Sequence, residues 1–203
     1  MGELPDNNNQ EPLIVFTALE RAGINEIKKS LLEKGFEQED VELSVQLADD
    51  ISKIDSLVFS DGIPISYADS FSEHTAQYHP GSEEENQSEL YIIYAKGMSG
   101  KIAKGKNIFQ FNKNGKLILK NSEGEEGIEI TSEELLFGVA AHEVRHRVQK
   151  SSDFKKLVSR ELPMETDRRE KDARMIEFMS MKALHAGKPI EEIAKIIKEK
   201  QEK

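Results

Sequence analysis

His142 and His146 stand four residues apart, with Glu143 directly after the first, in the pattern H-E-x-x-H. On an α-helix, residues four apart lie one turn above each other on the same face. Two imidazoles so placed can reach a single zinc ion with bonds of about 2.0–2.1 Å. Glu143 is rotated by roughly 100° from His142 on a 3.6-residue helix. It therefore points beside a metal held by the histidines, where a carboxylate can take the proton of an activated water.

The flanking residues supply the helix that this chemistry needs. Thr131 and Glu134 make a T-x-x-E capping box at the right place to start it. Phe137, Ala141, Val144 and Val148 then recur at helical spacing and form a core face. Leu135, Val139, His142 and His146 form the adjacent stripe, so the histidines run along the edge of the core. The competing reading is two surface histidines on an amphipathic helix, with Glu143 an ordinary solvated carboxylate.

Catalytic zinc needs at least one further protein ligand. The extension H-E-x-x-H-x-x-G-x-x-H fails, because Gln149 and Ser152 occupy the required positions. His185 lies at a helix end, and His74 and His79 lie in a loop-like stretch, so none of the three is a strong candidate. A later helix offers acids. Asp172 shares a face with Met175, Ile176, Met179 and Ala183, and a carboxylate on an apolar stripe is costly unless something pairs with it. Asp172 therefore ranks first, ahead of Glu170 and Glu177. A salt bridge from Asp172 to Arg169 or Arg145 is the alternative, and an ion pair with Arg174 accounts for Glu170.

The chain has 203 residues, 37% of them hydrophobic and 33% charged, with a net charge of −10 and no cysteine. That charge argues against a nucleic-acid backbone as partner. The missing cysteines exclude disulfides, thiolate metal ligands and thiol nucleophiles. No apolar run reaches the roughly 18 residues of a membrane span, and the N-terminus lacks the pattern of a secretory signal. The expectation is a soluble, cytoplasmic protein.

Four parts are expected: a polar tail over 1–12, an N-terminal helical segment over 13–55, a catalytic domain over 56–187, and an amphipathic helix over 188–203. In the first helical segment, 13–19 and the residues around Gly23 read as helix, Gly35 as a stop, and Asp40 as the cap of a helix running to about Ile54. Short strands are expected at 57–59 and 63–67 around Asp61-Gly62, with a loop over 71–86. Further strands are expected at 90–94 and 128–130, and a hairpin of 108–111 with 117–119 about Asn114-Gly115. Gly100 to Asn107 almost spells a phosphate-binding G-x-x-x-x-G-K-[ST], but Asn107 replaces the hydroxyl and a strand follows, so it reads as a basic loop. After Gln149 the expectation is a short helix near 153–160, a helix over 165–186 stopped by Gly187, and a last helix. The isoleucines of that last helix would pack or mediate a homo-oligomer.

With its H-E-x-x-H and Glu170-Lys171-Asp172-Ala173, the chain resembles the zincin metallopeptidases. It looks most like the gluzincin branch and is similar to the E-x-E-A segment of ImmA/IrrE-type peptidases. The resemblance covers roughly residues 90–185. It implies an α+β fold with a small mixed or antiparallel sheet ahead of the active-site helix, flanked by N- and C-terminal helices. It also implies a Zn2+ cofactor held by His142, His146 and an acid, and an edge strand that binds an extended peptide or protein substrate. Arg145 and Arg147 depart from the family pattern, which usually has uncharged residues there. The expected activity is zinc-dependent peptide hydrolysis with Glu143 as general base. The rival is a binding module that keeps the fold without turnover.

Overall fold

In the computed structural model, residues 14–16, 23–82, 87–112, 117–119, 127–151 and 162–199 are described. They form an α+β fold. Its helices are α1 (Gly23–Glu33), α2 (Gln38–Val58), α3 (Met98–Ile108), α4 (Ser132–Ser151), α5 (Leu162–His185) and α6 (Ile190–Lys198). Its strands are β1 (Ile14–Phe16), β2 (Ile65–Ala68), β3 (Ala76–His79), β4 (Leu90–Tyr94), β5 (Phe109–Asn112), β6 (Leu117–Leu119) and β7 (Gly127–Glu129).

The first sheet has the order β1-β2-β4-β3 and is mixed: β2 and β4 run parallel, while β1 and β3 are antiparallel to their neighbours. The second is antiparallel, in the order β6-β5-β7. The β5–β6 register pairs Phe109 with Leu119, as expected for a hairpin about Asn114-Gly115.

Helix α4 begins at the capping box: Glu134 Oε2 accepts the Thr131 N–H at 2.7 Å, and Thr131 Oγ1 accepts the Glu134 N–H at 3.2 Å. Its apolar stripes, including Leu135, Leu136, Ala140, Ala141 and Val144, are buried in one core with residues of α2, β4, α5 and α6. Gly138 lies where α4 meets α5. A Cβ there would fall 2.6 Å from Met181 Cγ and 3.3 Å from Glu177 Cγ, so glycine permits the close approach of the two helices.

Several expectations are corrected. Residues 14–16 are a strand rather than helix; the run Ile14-Val15-Phe16 is β-branched and aromatic, and β2 offers it an edge. Residues 57–58 are the last turn of α2, not a strand. Asp40 lies inside α2 and caps a different helix: its carboxylate accepts the N–H groups of Gly97 and Ser99 at 2.7 and 2.8 Å, at the start of α3. Residues 100–107, read as a basic loop, lie within α3, which also takes Ile108 from the expected strand. Strand β3 lies within a stretch read as loop. Its alternation of buried Ala76 and Tyr78 with exposed Gln77 was the available signal.

Residue 56 marks no break in the core, because Leu47, Ile51 and Ile54 of α2 pack in the same cluster as Val144 and Ile176. The apolar face of α6 is likewise used within the chain, with Ile193, Ala194 and Ile197 buried. Gly35 and Gly187 take positive φ, 85° and 73°, just past α1 and α5, as helix stops do. The expectations for 1–12 and 153–160 lie outside the described residues.

Candidate metal centre

Helix α4 presents His142 and His146 toward α5 with their Nε2 atoms 3.0 Å apart. Glu170, in the first half of α5, closes the third side: its Oε1 is 3.3 Å from His146 Nε2 and its Oε2 3.6 Å from His142 Nε2. A tetrahedral zinc with bonds of about 2.0–2.1 Å holds its ligand atoms about 3.3 Å apart. The histidine pair lies a little inside that value and the two Glu170 contacts, made through different oxygens, lie near it, so the group is close enough to hold a metal ion. Among the described residues it is the one group of three His, Asp or Glu side chains with ligand atoms this close.

The outer nitrogens are also engaged. His142 Nδ1 is 3.1 Å from Glu177 Oε2, and His146 Nδ1 is 3.0 Å from Gln149 Oε1. A carboxylate and an amide oxygen accept only, so Nδ1 is the donor of each ring in these contacts, and the proton that must leave before His142 can ligate is the one on Nε2. The amide of Gln149 is oriented in turn, since its Nε2 donates to Asp172 Oδ2 at 2.7 Å and to the Arg169 carbonyl at 3.0 Å.

Asp172, ranked first from the sequence, is therefore not in the triad. It takes a bidentate grip from Arg145, with Nε at 2.7 Å and Nη2 at 3.2 Å. Arg145 Nη1 also caps the end of α6 through the carbonyls of Ile197 and Glu199. The apolar stripe that suggested a ligand is real, but the buried guanidinium of Arg145 is the partner that makes the carboxylate tolerable there. Glu170, ranked second on the sequence and explained there by an ion pair with Arg174, is the acid that lies beside the two histidines. Glu177 supports a histidine instead of joining the triad. His185 pairs with Glu134 at 2.7 Å, and His79 Nδ1 accepts the Gly81 N–H at 3.3 Å.

Electrostatics favour a cation. Burial works against charge on His142, but hydrogen bonds to Glu170 and Glu177 outweigh it and raise its pKa to about 10. His142 in turn holds the Glu170 carboxyl down at about 2. His146 is lowered by burial and by its neighbour His142. The carboxylates that draw a proton to His142 favour a cation beside it in the same way. The histidine side chains are 14% and 18% exposed and Glu170 is 44% exposed, so solvent enters from the Glu170 side.

Glu143 is 6% exposed, and its Oε2 accepts the main-chain N–H of Tyr78 in β3 at 2.6 Å. Burial pushes its carboxyl up to about 7, against the pull of His142 and of that N–H. Two residues were not picked out from the sequence: Gln149, whose role needs a fold to bring Asp172 near, and Tyr78, which sat in a stretch read as loop.

No family model, curated protein or solved structure matches this chain.

Proposed function

We propose that this chain is a zinc-dependent metallopeptidase with a zincin-like arrangement of helices and sheet. The observation that carries the reading is that ligand atoms of His142, His146 and Glu170 all lie within 4.8 Å of one another, with the buried Glu143 on the same helix as the histidines. His142, His146 and Glu170 would hold the metal, which supplies Lewis acidity to the attacking water and to the scissile carbonyl. Glu143, with a pKa raised to about 7, is matched to general-base work near neutrality. Its carboxylate accepts one proton of the attacking water and delivers it to the departing amide nitrogen. Glu177 and Gln149 hold the imidazoles in the ligating tautomer. Strand β3 borders the sheet beside α4, where an extended peptide can lie.

Arg145 and Arg147, the departures from the zincin pattern, are both taken up in buried ion pairs with Asp172 and Asp55. Neither guanidinium intrudes on the triad. The deciding experiment loads the full chain with zinc, confirms one equivalent by metal analysis, and exposes it to a peptide library read by mass spectrometry. Wild type is expected to cleave; Glu143→Gln is expected to keep the zinc and lose cleavage. A protein that takes up no zinc, or a Glu143→Gln variant with full activity, favours the non-catalytic binding module.

A further inference from the structure

Arg147 is buried on α4, one turn beyond Glu143 and on the same side of the helix. Its Nη1 donates to Asp55 Oδ2 in α2 at 2.7 Å and to the Asp61 carbonyl at 2.8 Å. Its Nε donates to Glu89 Oε1 at 3.3 Å, and the same oxygen accepts the Tyr78 hydroxyl at 2.5 Å. The Phe59 ring covers the guanidinium at 4.1 Å. Tyr91 OH donates to the other Asp55 oxygen at 2.6 Å, and its ring lies 5.6 Å from that of Tyr78.

Tyr78 is thus held at two points by residues one helical turn apart. Glu143 takes its main-chain N–H, and Arg147, through Glu89, takes its hydroxyl. The second hold matters because β3 is four residues long and borders its sheet, paired with β4 alone among the described strands. A short edge strand opens more readily than one flanked on both sides. If β3 moves away from α4, Glu143 loses the donor that fixes its carboxylate.

We propose that Arg147, Glu89 and the Tyr78 hydroxyl form a positioning arm that keeps the Tyr78 N–H on Glu143 and so keeps the general base aimed. The functional half of this inference rests on the peptidase reading; the structural half does not. None of the three residues belongs to the ligand triad, so the arm acts on turnover and leaves metal affinity alone. Asp55 anchors the arm from α2, which makes the N-terminal helices a part of the site's scaffold.

The test uses the full, zinc-loaded chain. Arg147→Ala would leave Asp55 buried without its partner and risks unfolding, so Tyr78→Phe, which removes one hydroxyl, is the main variant. Three quantities are read: hydrogen exchange of the Tyr78 amide by NMR, zinc affinity by chelator competition, and kcat and KM on a peptide that wild type cleaves. Exchange at Tyr78 is expected to speed up about tenfold. kcat is expected to fall about tenfold, with KM and zinc affinity within about twofold of wild type. Glu89→Ala is expected to match Tyr78→Phe, and Glu89→Gln, which keeps an acceptor, to recover part of the loss. Unchanged exchange overturns the arm whatever the activity does. Faster exchange with unchanged kcat, or a loss of zinc affinity, overturns its role toward the base. A zinc-loaded wild type that cleaves nothing defeats the peptidase reading instead, and the Tyr78 exchange still decides the arm.

Discussion

Gln149 Oε1 stands 3.0 Å from His146 Nδ1, an amide where a carboxylate often supports a ligating histidine. The choice follows from the next residue along. Gln149 Nε2 lies 2.7 Å from Asp172 Oδ2, so a glutamate at 149 would face a second carboxylate. Gln149→Met is expected to weaken zinc binding about tenfold, the low end for loss of such a support. Gln149→Glu is expected to lower the melting temperature as well, through repulsion of Asp172. Chelator competition and thermal unfolding measure the two effects; a Gln149→Met protein with wild-type zinc affinity would remove Gln149 from this role.

Glu170 and Asp172 make a pair of opposite predictions. Glu170→Gln removes a charged group from a 44% exposed position, so zinc affinity should drop at least about a hundredfold, while stability falls by no more than about 1 kcal/mol, the worth of a partly exposed ion pair with His142. Asp172→Asn should do the reverse. It leaves the buried Arg145 without its countercharge, at a cost of about 3 kcal/mol, and zinc affinity should fall tenfold at most through Gln149. Urea unfolding of the metal-free proteins and zinc titration separate the two. Equal zinc loss in both variants would contradict the geometry.

Zinc uptake should be linked to protons. In the metal-free protein the His142 pKa is raised to about 10, so the ring is protonated at neutral pH and must lose that proton to ligate. Binding at pH 7 should release about one proton, and affinity should rise with pH up to about 10. Calorimetry in two buffers of different ionisation enthalpy reads the proton count directly. No buffer dependence would mean that the imidazole pair is neutral before zinc arrives.

The same shift has a consequence for stability without metal. A histidine whose folded pKa lies above its ordinary 6.5 stabilises fully below pH 6.5 and loses that contribution as pH rises through about 10. Glu143 acts in the same direction, since a carboxyl raised from 4.5 to about 7 favours the folded state at low pH and loses that contribution through about 7. Glu170 runs the other way, stabilising above 4.5 and failing only as pH falls through about 2. These groups should therefore cost the metal-free protein stability from about pH 4.5 to 7 through Glu143 and from about 6.5 to 10 through His142, and His142→Asn should flatten the upper part of that slope. Chemical unfolding across the range provides the check.

Gly138 sets how near α5 can come to the histidines. Alanine there would gain about 1 kcal/mol of helix propensity. Its Cβ, however, would meet the stem of Met181 at 2.6 Å and Glu177 Cγ at 3.3 Å. Overpacking costs about 1–3 kcal/mol, so a net destabilisation of about 1 kcal/mol is expected, together with weaker zinc binding as Glu177 shifts from His142. A Gly138→Ala protein more stable than wild type would show that α5 can move aside freely.

Local patterns carried much of this protein in the sequence. The capping box, the two histidines one turn apart, the antiparallel pairing of β5 with β6 and the glycine stops all depend on residues within a few positions of each other, where spacing alone sets geometry. The choice among Asp172, Glu170 and Glu177 depends on how α5 is rotated against α4. That rotation is set by the contact at Gly138 and by the pull of Arg145 on Asp172, two interactions between helices that no periodicity within one helix records. Strand β3 was harder to read for a related reason: its alternation spans only four residues, and its place is fixed by β4 and by Glu143. The chain by itself determined that a helix would carry two imidazoles and a carboxylate in ligating order. Tertiary packing alone decided which acid faces them, because the buried Arg145 claimed Asp172.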